Sequence, residues 1–214
     1  FDDGSCLYLV SQDLWVSPSG DNHLNSGLDQ NDPFQTLSYA IWRIAQSEEN
    51  PYAIHLLGGT YSPSSTDETF PIEMISHVNI SGAGQGISIL DAEHESGVMF
   101  FEDCNNNLIE NLSVTNGDVS YEPGNDRDTG GGIRLLSSNP TINHVTISGN
   151  YARSGAGIHF DESDAILMDV IVSDNYVNVE GGSCAGMRLE DSNPTFSYVT
   201  IKNNITSYNT GGGV

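Results

Sequence analysis

An all-β fold, a right-handed parallel β-helix with an N-terminal capping α-helix, is the architecture that these 214 residues predict. Three observations carry the expectation. A glycine-marked unit recurs as Gly130-Gly131-Gly132-Ile133, Gly155-Ala156-Gly157-Ile158, Cys184-Ala185-Gly186-Met187 and Gly211-Gly212-Gly213-Val214, and the steps from Gly132 to Gly157, Gly186 and Gly213 are 25, 29 and 27 residues. Alternating apolar strands follow each unit at fixed offsets, and an asparagine returns at one corner of each coil. Near-equal steps of this size are those of stacked coils joined by corners of variable length.

Within a coil the register is constant. Seven residues after the last glycine stand Asn139-Pro140-Thr141-Ile142, Asp164-Ala165-Ile166-Leu167 and Asn193-Pro194-Thr195-Phe196. Three residues beyond them, Val145-Thr146-Ile147, Val170-Ile171-Val172 and Val199-Thr200-Ile201 alternate as strands with one buried face. Fainter copies lie upstream at Val78-Asn79-Ile80 and Leu112-Ser113-Val114.

Stacking equivalent positions predicts the core as five columns. They are Ile133, Ile158, Met187 and Val214; Leu135, Phe160 and Leu189; Ile142, Leu167 and Phe196; Val145, Val170 and Val199; and Ile147, Val172 and Ile201. One coil cannot bury its own apolar side, so its neighbours must cover it from about 4.8 Å away. Asn150, Asn175 and Asn204 fall five residues after Val145, Val170 and Val199, where side-chain amides can bond one another along the axis. The glycines at 130–132 and 211–213 are expected to allow positive φ where the chain turns between coils.

The chain divides into a cap region with the first coils, residues 1–90, and coils over 91–214 with repeats starting near 130, 155, 184 and 211. In the first part, Asp32-Pro33-Phe34-Gln35 has the form of a helix start, with Asp32 as N-cap and Pro33 in the first turn. Leu37, Ala40, Ile41, Ile44 and Ala45 then keep helical spacing, which predicts one amphipathic helix over about 33–47. A repeat stack needs an end cap, and this helix supplies the apolar face for one.

The order of four motifs completes the picture. Leu14-Trp15-Val16-Ser17-Pro18-Ser19-Gly20-Asp21, Asp32-Pro33-Phe34-Gln35-Thr36-Leu37, Gly58-Gly59-Thr60-Tyr61 and Ile80-Ser81-Gly82-Ala83-Gly84 resemble the N-terminal region of bacterial extracellular proteins of the pectate-lyase-like β-helix superfamily. The later Asn-Pro-Thr-Ile and Gly-Gly-Gly-Ile units are similar to the coils that follow it in those proteins. The resemblance spans about Leu14 to Val214 and implies the fold and a secreted or cell-surface setting. It leaves activity open, because the superfamily holds polysaccharide lyases, hydrolases and adhesins.

Composition narrows the partners. Six Lys plus Arg against 29 Asp plus Glu give a formal charge of -23, which repels phosphate backbones and anionic headgroups. Nucleic acid is therefore not an expected partner, and no run of about 20 apolar residues predicts a membrane span. Cys6, Cys104 and Cys184 fit no zinc spacing and are too few and too scattered for a disulfide framework.

Chemistry is sought on the outward positions of the strand after each glycine unit. Arg134, His159 and Arg188 form one such column and are the candidate catalytic residues; Asp161, Glu162, Glu190 and Asp191 beside them are the candidate metal ligands, with calcium as the cofactor they would hold. In lyases of the resembled superfamily, acidic residues hold calcium while a basic residue removes the proton α to a uronate carboxylate. The alternative is that the arginines pair diagonally with Asp161 or Glu190, as on any exposed sheet face, which demands fewer converging groups. Tyr151 and Tyr176 stack at equivalent positions, but Ile205 takes the third place, so packing at a corner is preferred to a sugar platform. Trp15 and Trp42 are assigned to the cap.

The expected function is a secreted or cell-surface structural or adhesive module, stacking on further coils or on copies of itself. The alternative is a calcium-dependent, lyase-like enzyme acting on acidic polysaccharide.

Overall fold

The computed structural model describes residues 9–120, 128–207 and 211–214, so Cys6 lies outside the described residues. The short strands of successive coils pair only in parallel, and they form two main sheets. One is five-stranded and stacks Ile72–Glu73, Met99–Glu102, Ile133–Leu136, Ile158–Asp161 and Met187–Glu190. The larger sheet has eleven strands, beginning with Leu14–Val16, Tyr52–Leu56 and Val78–Gly82 and continuing through Leu108–Thr115 and Thr141–Ser148.

The coil register follows the predicted repeat. Ile133, Ile158 and Met187 pair across the five-stranded sheet, as do Leu135, Phe160 and Leu189. Ile142, Leu167 and Phe196 align in the larger sheet, and so do Ile147, Val172 and Ile201. The upstream copies join in register, with Val145 opposite Leu112 and Ile80 opposite Ile109. All of the columns are buried through the coil of Val170, and a single apolar cluster runs from Leu14 to Met187. Five predicted core residues differ: Phe196 is 41% exposed and Val214 59% exposed, and Leu189, Val199 and Ile201 are only partly buried. They belong to the last coil, and no further coil of the described residues covers its outer side.

The corners of each coil are set by residues in left-handed conformation. Asn111, His144, Asp169 and Tyr198 bend the long strands at φ values of 57°, 53°, 52° and 54°. Asp103, Ser137, Glu162 and Asp191 turn the chain after the five-stranded sheet, and Asn116, Gly149, Asp174 and Asn203 turn it after the larger one. Asn and Asp tolerate this geometry better than most residues, which accounts for part of their abundance here.

Polar ladders run beside the apolar columns. Asn150 donates Nδ2 to Asn175 Oδ1 at 2.9 Å, and Asn175 repeats the bond to Asn204 at 2.9 Å. The same oxygens also accept from backbone amides of the preceding coil, including Gly117 N at 2.8 Å from Asn150 Oδ1. A second ladder had no predicted counterpart: Cys104 N donates to Ser138 Oγ, Ser138 N to Ser163 Oγ and Ser163 N to Ser192 Oγ, at 2.9–3.0 Å. Cys104 and Cys184 carry free thiols.

The glycine unit serves two purposes, and positive φ is only one. Gly130 and Gly155 have φ of 70° and 58°, and Cys184 keeps the geometry at 54°. The third residue of each unit is glycine for space. A Cβ on Gly157 would lie 2.4 Å from Gly186 O and 3.0 Å from Asn175 Nδ2, and Gly132 and Gly186 stand in the same relation to the coils after them. Gly211, Gly212 and Gly213 do not adopt positive φ, contrary to the expectation for that corner.

The predicted amphipathic helix forms at Leu37–Arg43, shorter than the expected 33–47, and its N-cap is Thr36 instead of Asp32. Phe34 explains the late start: its N–H donates to Trp15 O and its carbonyl accepts from Ser17 N, which holds the Pro33–Gln35 region extended against the first strand. Asp32 instead accepts from Ser26 Oγ at 2.6 Å. The helix ends where Ile44 becomes extended and bridges Val10. Leu37, Ala40 and Ile41 are buried as expected. The buried carboxylate of Glu68 accepts from Leu37 N at 2.6 Å and Ser38 N at 3.0 Å, satisfying two donors of the first turn.

Candidate functional site

The five-stranded sheet places the candidate catalytic residues side by side. Phe100 pairs with Arg134, Arg134 with His159, and His159 with Arg188, so four large side chains form one outward column on adjacent strands. The arginine guanidinium of Arg134 lies 5.6 Å from the Phe100 ring centroid. The next column is Glu102, Leu136, Asp161 and Glu190.

The expected exposure is not observed at Arg134 and His159, while the Arg188 side chain stays 35% exposed. Arg134 is 9% exposed and His159 3%. The cause is local: the corner preceding each strand folds back onto it. A Cβ added at Gly130 would lie 2.8 Å from that of Arg134, and one at Gly155 would lie 3.0 Å from that of Arg188 and 3.2 Å from that of His159. Glycine at these two positions lets the backbone pass so close. Stacked long side chains about 4.8 Å apart then cover one another.

His159 is a buried imidazole between two guanidiniums. Neither ring nitrogen has a hydrogen-bond partner, and Glu190 Oε2, at 3.5 Å from Nε2, is held at 2.9 Å by Arg188 Nη2. Burial, and then the charges of Arg188 and Arg134, push its pKa down to about 4, outweighing the nearby carboxylates. The ring is therefore neutral at physiological pH. A neutral imidazole has the protonation state of a general base, but at this burial it lacks the access that proton transfer from a bound polymer requires.

The acidic candidates are aligned along the axis without converging. Asp161 and Glu190 are paired neighbours, while Glu162 and Asp191 sit at the following left-handed corner, where Ser137 Oγ donates to Glu162 Oε2 at 3.3 Å. Among the described residues, no three His, Cys, Asp or Glu side chains are grouped to hold a metal ion.

Where Arg188 reaches solvent, it meets residues that carried no sequence assignment. Asp128, Thr129, Arg153, Ser154 and Gly181 join it around a cleft of about 160 Å³. Thr129, Ser154 and Ser183 bridge in parallel, and Ser154 Oγ donates to Ser183 O at 2.9 Å. Arg153 Nη1 lies 3.2 Å from Asp128 Oδ2. The available signal was the 25-residue offset that relates Asp128-Thr129 to Arg153-Ser154, combined with the scarcity of basic residues.

Tyr151 and Tyr176 are stacked, with centroids 5.0 Å apart and planes 17° apart, and His94 packs edge-on against Tyr151 at 5.2 Å. Ile205 continues the pairing beyond Tyr176, and both tyrosines are half-buried.

The family described as a protein of unknown function, DUF1565, matches residues 19–214. Among solved structures, pectate lyase Pel9A is similar in fold, with a TM-score of 0.60 at 16% identity over 87% of this chain and 47% of that one. Pectin methylesterase PemA from Erwinia chrysanthemi gives a TM-score of 0.45 at 12% identity, over 86% and 61% of the two chains. The chain thus spans about half the length of Pel9A. No curated protein matches the sequence.

Proposed function

From the premise that this chain belongs to the DUF1565 family, we propose that it is a structural or adhesive β-helix module of a secreted or cell-surface protein. The observation that carries this reading is the burial of two of the three candidate catalytic groups, Arg134 and His159. His159 is buried and Arg188 is tied to Glu190. The repeating asparagine and serine side chains meanwhile bond from coil to coil along the axis. Side chains of the repeat are thus spent on stiffness of the stack. The exposed apolar side of the last coil, with Phe196 and Ile205, is the surface on which further coils or a second copy would stack.

A second reading, a calcium-dependent lyase-like activity on acidic polysaccharide, is favoured by Arg188 standing at a cleft beside neutral His159. Incubation with polygalacturonate, alginate and chondroitin in the presence of calcium separates the two. The module predicts no rise in ultraviolet absorbance from unsaturated products. A rise that Arg188→Ala abolishes would establish the enzyme instead.

A further inference from the structure

The chain has six lysines and arginines in all, and Arg153 and Arg188 line one cleft while Arg134 lies on the strand beside Arg188's neighbour His159. In a protein of net charge -23, half of the Lys and Arg residues are thus gathered in one region. At physiological ionic strength charges more than about 8 Å away are largely screened, so local groups decide what the cleft attracts.

Those groups are donors in excess. Each guanidinium presents five N–H donors, and the ion pairs of Arg153 with Asp128 and of Arg188 with Glu190 each engage one nitrogen. The carboxylates orient the two side chains without exhausting them. Thr129, 9% exposed, lines the same cleft, and its Oγ1 is buried with no hydrogen-bond partner. A buried hydroxyl left unpaired costs roughly 1–3 kcal/mol in mutational series, a cost that a ligand oxygen would remove. Gly181 closes the wall without a side chain, and a Cβ there would meet nothing within 4 Å.

The size is also selective. A cleft of about 160 Å³ has the volume of about five waters, at ~30 Å³ each, and falls short of the roughly 300 Å³ at which pockets for larger small molecules begin. It fits one small polar group. Both arginines already hold a carboxylate of this chain, which is the partner their planar forks match best.

We infer that the cleft lined by Thr129, Arg153 and Arg188 is a binding site for a single carboxylate group of a small or end-presented ligand. Arg153 and Arg188 supply the charge, and the Thr129 hydroxyl donates to one ligand oxygen. The site requires no catalysis and no metal; it shares Arg188 with the lyase-like reading, and Arg153, which that reading does not use, separates the two.

The test uses the whole chain with trifluoroacetate as the probe, followed by fluorine NMR at constant ionic strength. A saturable shift is expected, weakened about tenfold in Arg153→Ala with Arg188→Gln, as for loss of charged hydrogen bonds, and unchanged in Lys202→Ala. Absence of a saturable shift would overturn the proposal, as would equal binding by the double variant. Should that variant fail to fold, Arg153→Ala alone decides, because its side chain is 56% exposed and its removal leaves the core intact. Weaker binding by it supports the site, and unchanged binding refutes it.

Discussion

Asn150 donates its side-chain amide to Oδ1 of Asn175 across 2.9 Å, and both residues are fully buried. That oxygen also accepts the backbone N–H of Asn150 at 3.0 Å, while Asn175 Nδ2 reaches Ile147 O and Asn204 Oδ1. One side chain therefore satisfies polar groups on both neighbouring coils and ties three coils together. Asn175→Ala is expected to lower stability by about 2–4 kcal/mol, since it orphans several buried donors and acceptors at once. Chemical denaturation measures the change, and a loss below about 0.5 kcal/mol would show the ladder to be incidental.

The glycine column packs on that ladder. Gly157→Ala places a methyl 2.4 Å from Gly186 O, a backbone atom that cannot step aside without moving its coil. A cost of about 1–3 kcal/mol is expected from overpacking. Gly86→Ala, where a Cβ meets nothing but φ is 70°, isolates the backbone cost alone. Thermal melting of the two variants compares them, and Gly157→Ala should be the more damaging.

Val170 is fully buried between the columns of neighbouring coils. Val170→Asp is expected to unfold the chain or abolish cooperative melting, because a buried carboxylate without a partner costs several kcal/mol and the loss is shared by the coils on either side. A melting midpoint equal to that of the parent protein would mean that this strand face points outward.

His159 sets a pH dependence whose sign follows from its lowered pKa. The unfolded chain takes up the proton near the ordinary value of 6.5, while the folded chain resists until about 4. Its contribution is therefore intact above pH 6.5 and is lost as pH falls toward 4, by up to about 3 kcal/mol. Melting of His159→Asn should show a smaller loss between pH 7 and pH 4.5 than the parent protein shows. Glu68 acts in the opposite sense: burial raises its pKa, so its contribution is full below the ordinary value of 4.5 and declines as pH rises. Identical losses in parent and His159→Asn would contradict the buried, neutral imidazole.

Features that repeat along the chain were legible from residues alone. Ile133, Ile158 and Met187 stack as their spacing indicated, and Asn150, Asn175 and Asn204 form the expected ladder. Features made by one contact across the fold were not. Nothing in the sequence near Leu37 announces that Glu68, 31 residues away, satisfies the helix amides, or that Phe34 keeps Pro33 and Gln35 out of the helix. The serine ladder was obscured because Cys104 stands at its first position, 34 residues before Ser138. At the candidate site the strand alternation placed Arg134, His159 and Arg188 correctly on the outer side of the sheet. The burial of Arg134 and His159 arises from the corners at Gly130 and Gly155, whose approach depends on backbone geometry that an outward-facing strand pattern does not encode.

The most direct measurement is the chain length of polygalacturonate, followed by light scattering during prolonged incubation with the whole protein and calcium. It registers cleavage by elimination and by hydrolysis alike. A structural or adhesive module leaves the molar mass unchanged while the protein remains folded. A progressive fall in molar mass, lost on Arg188→Ala, would contradict the account and make the column of Arg134, His159 and Arg188 an active site.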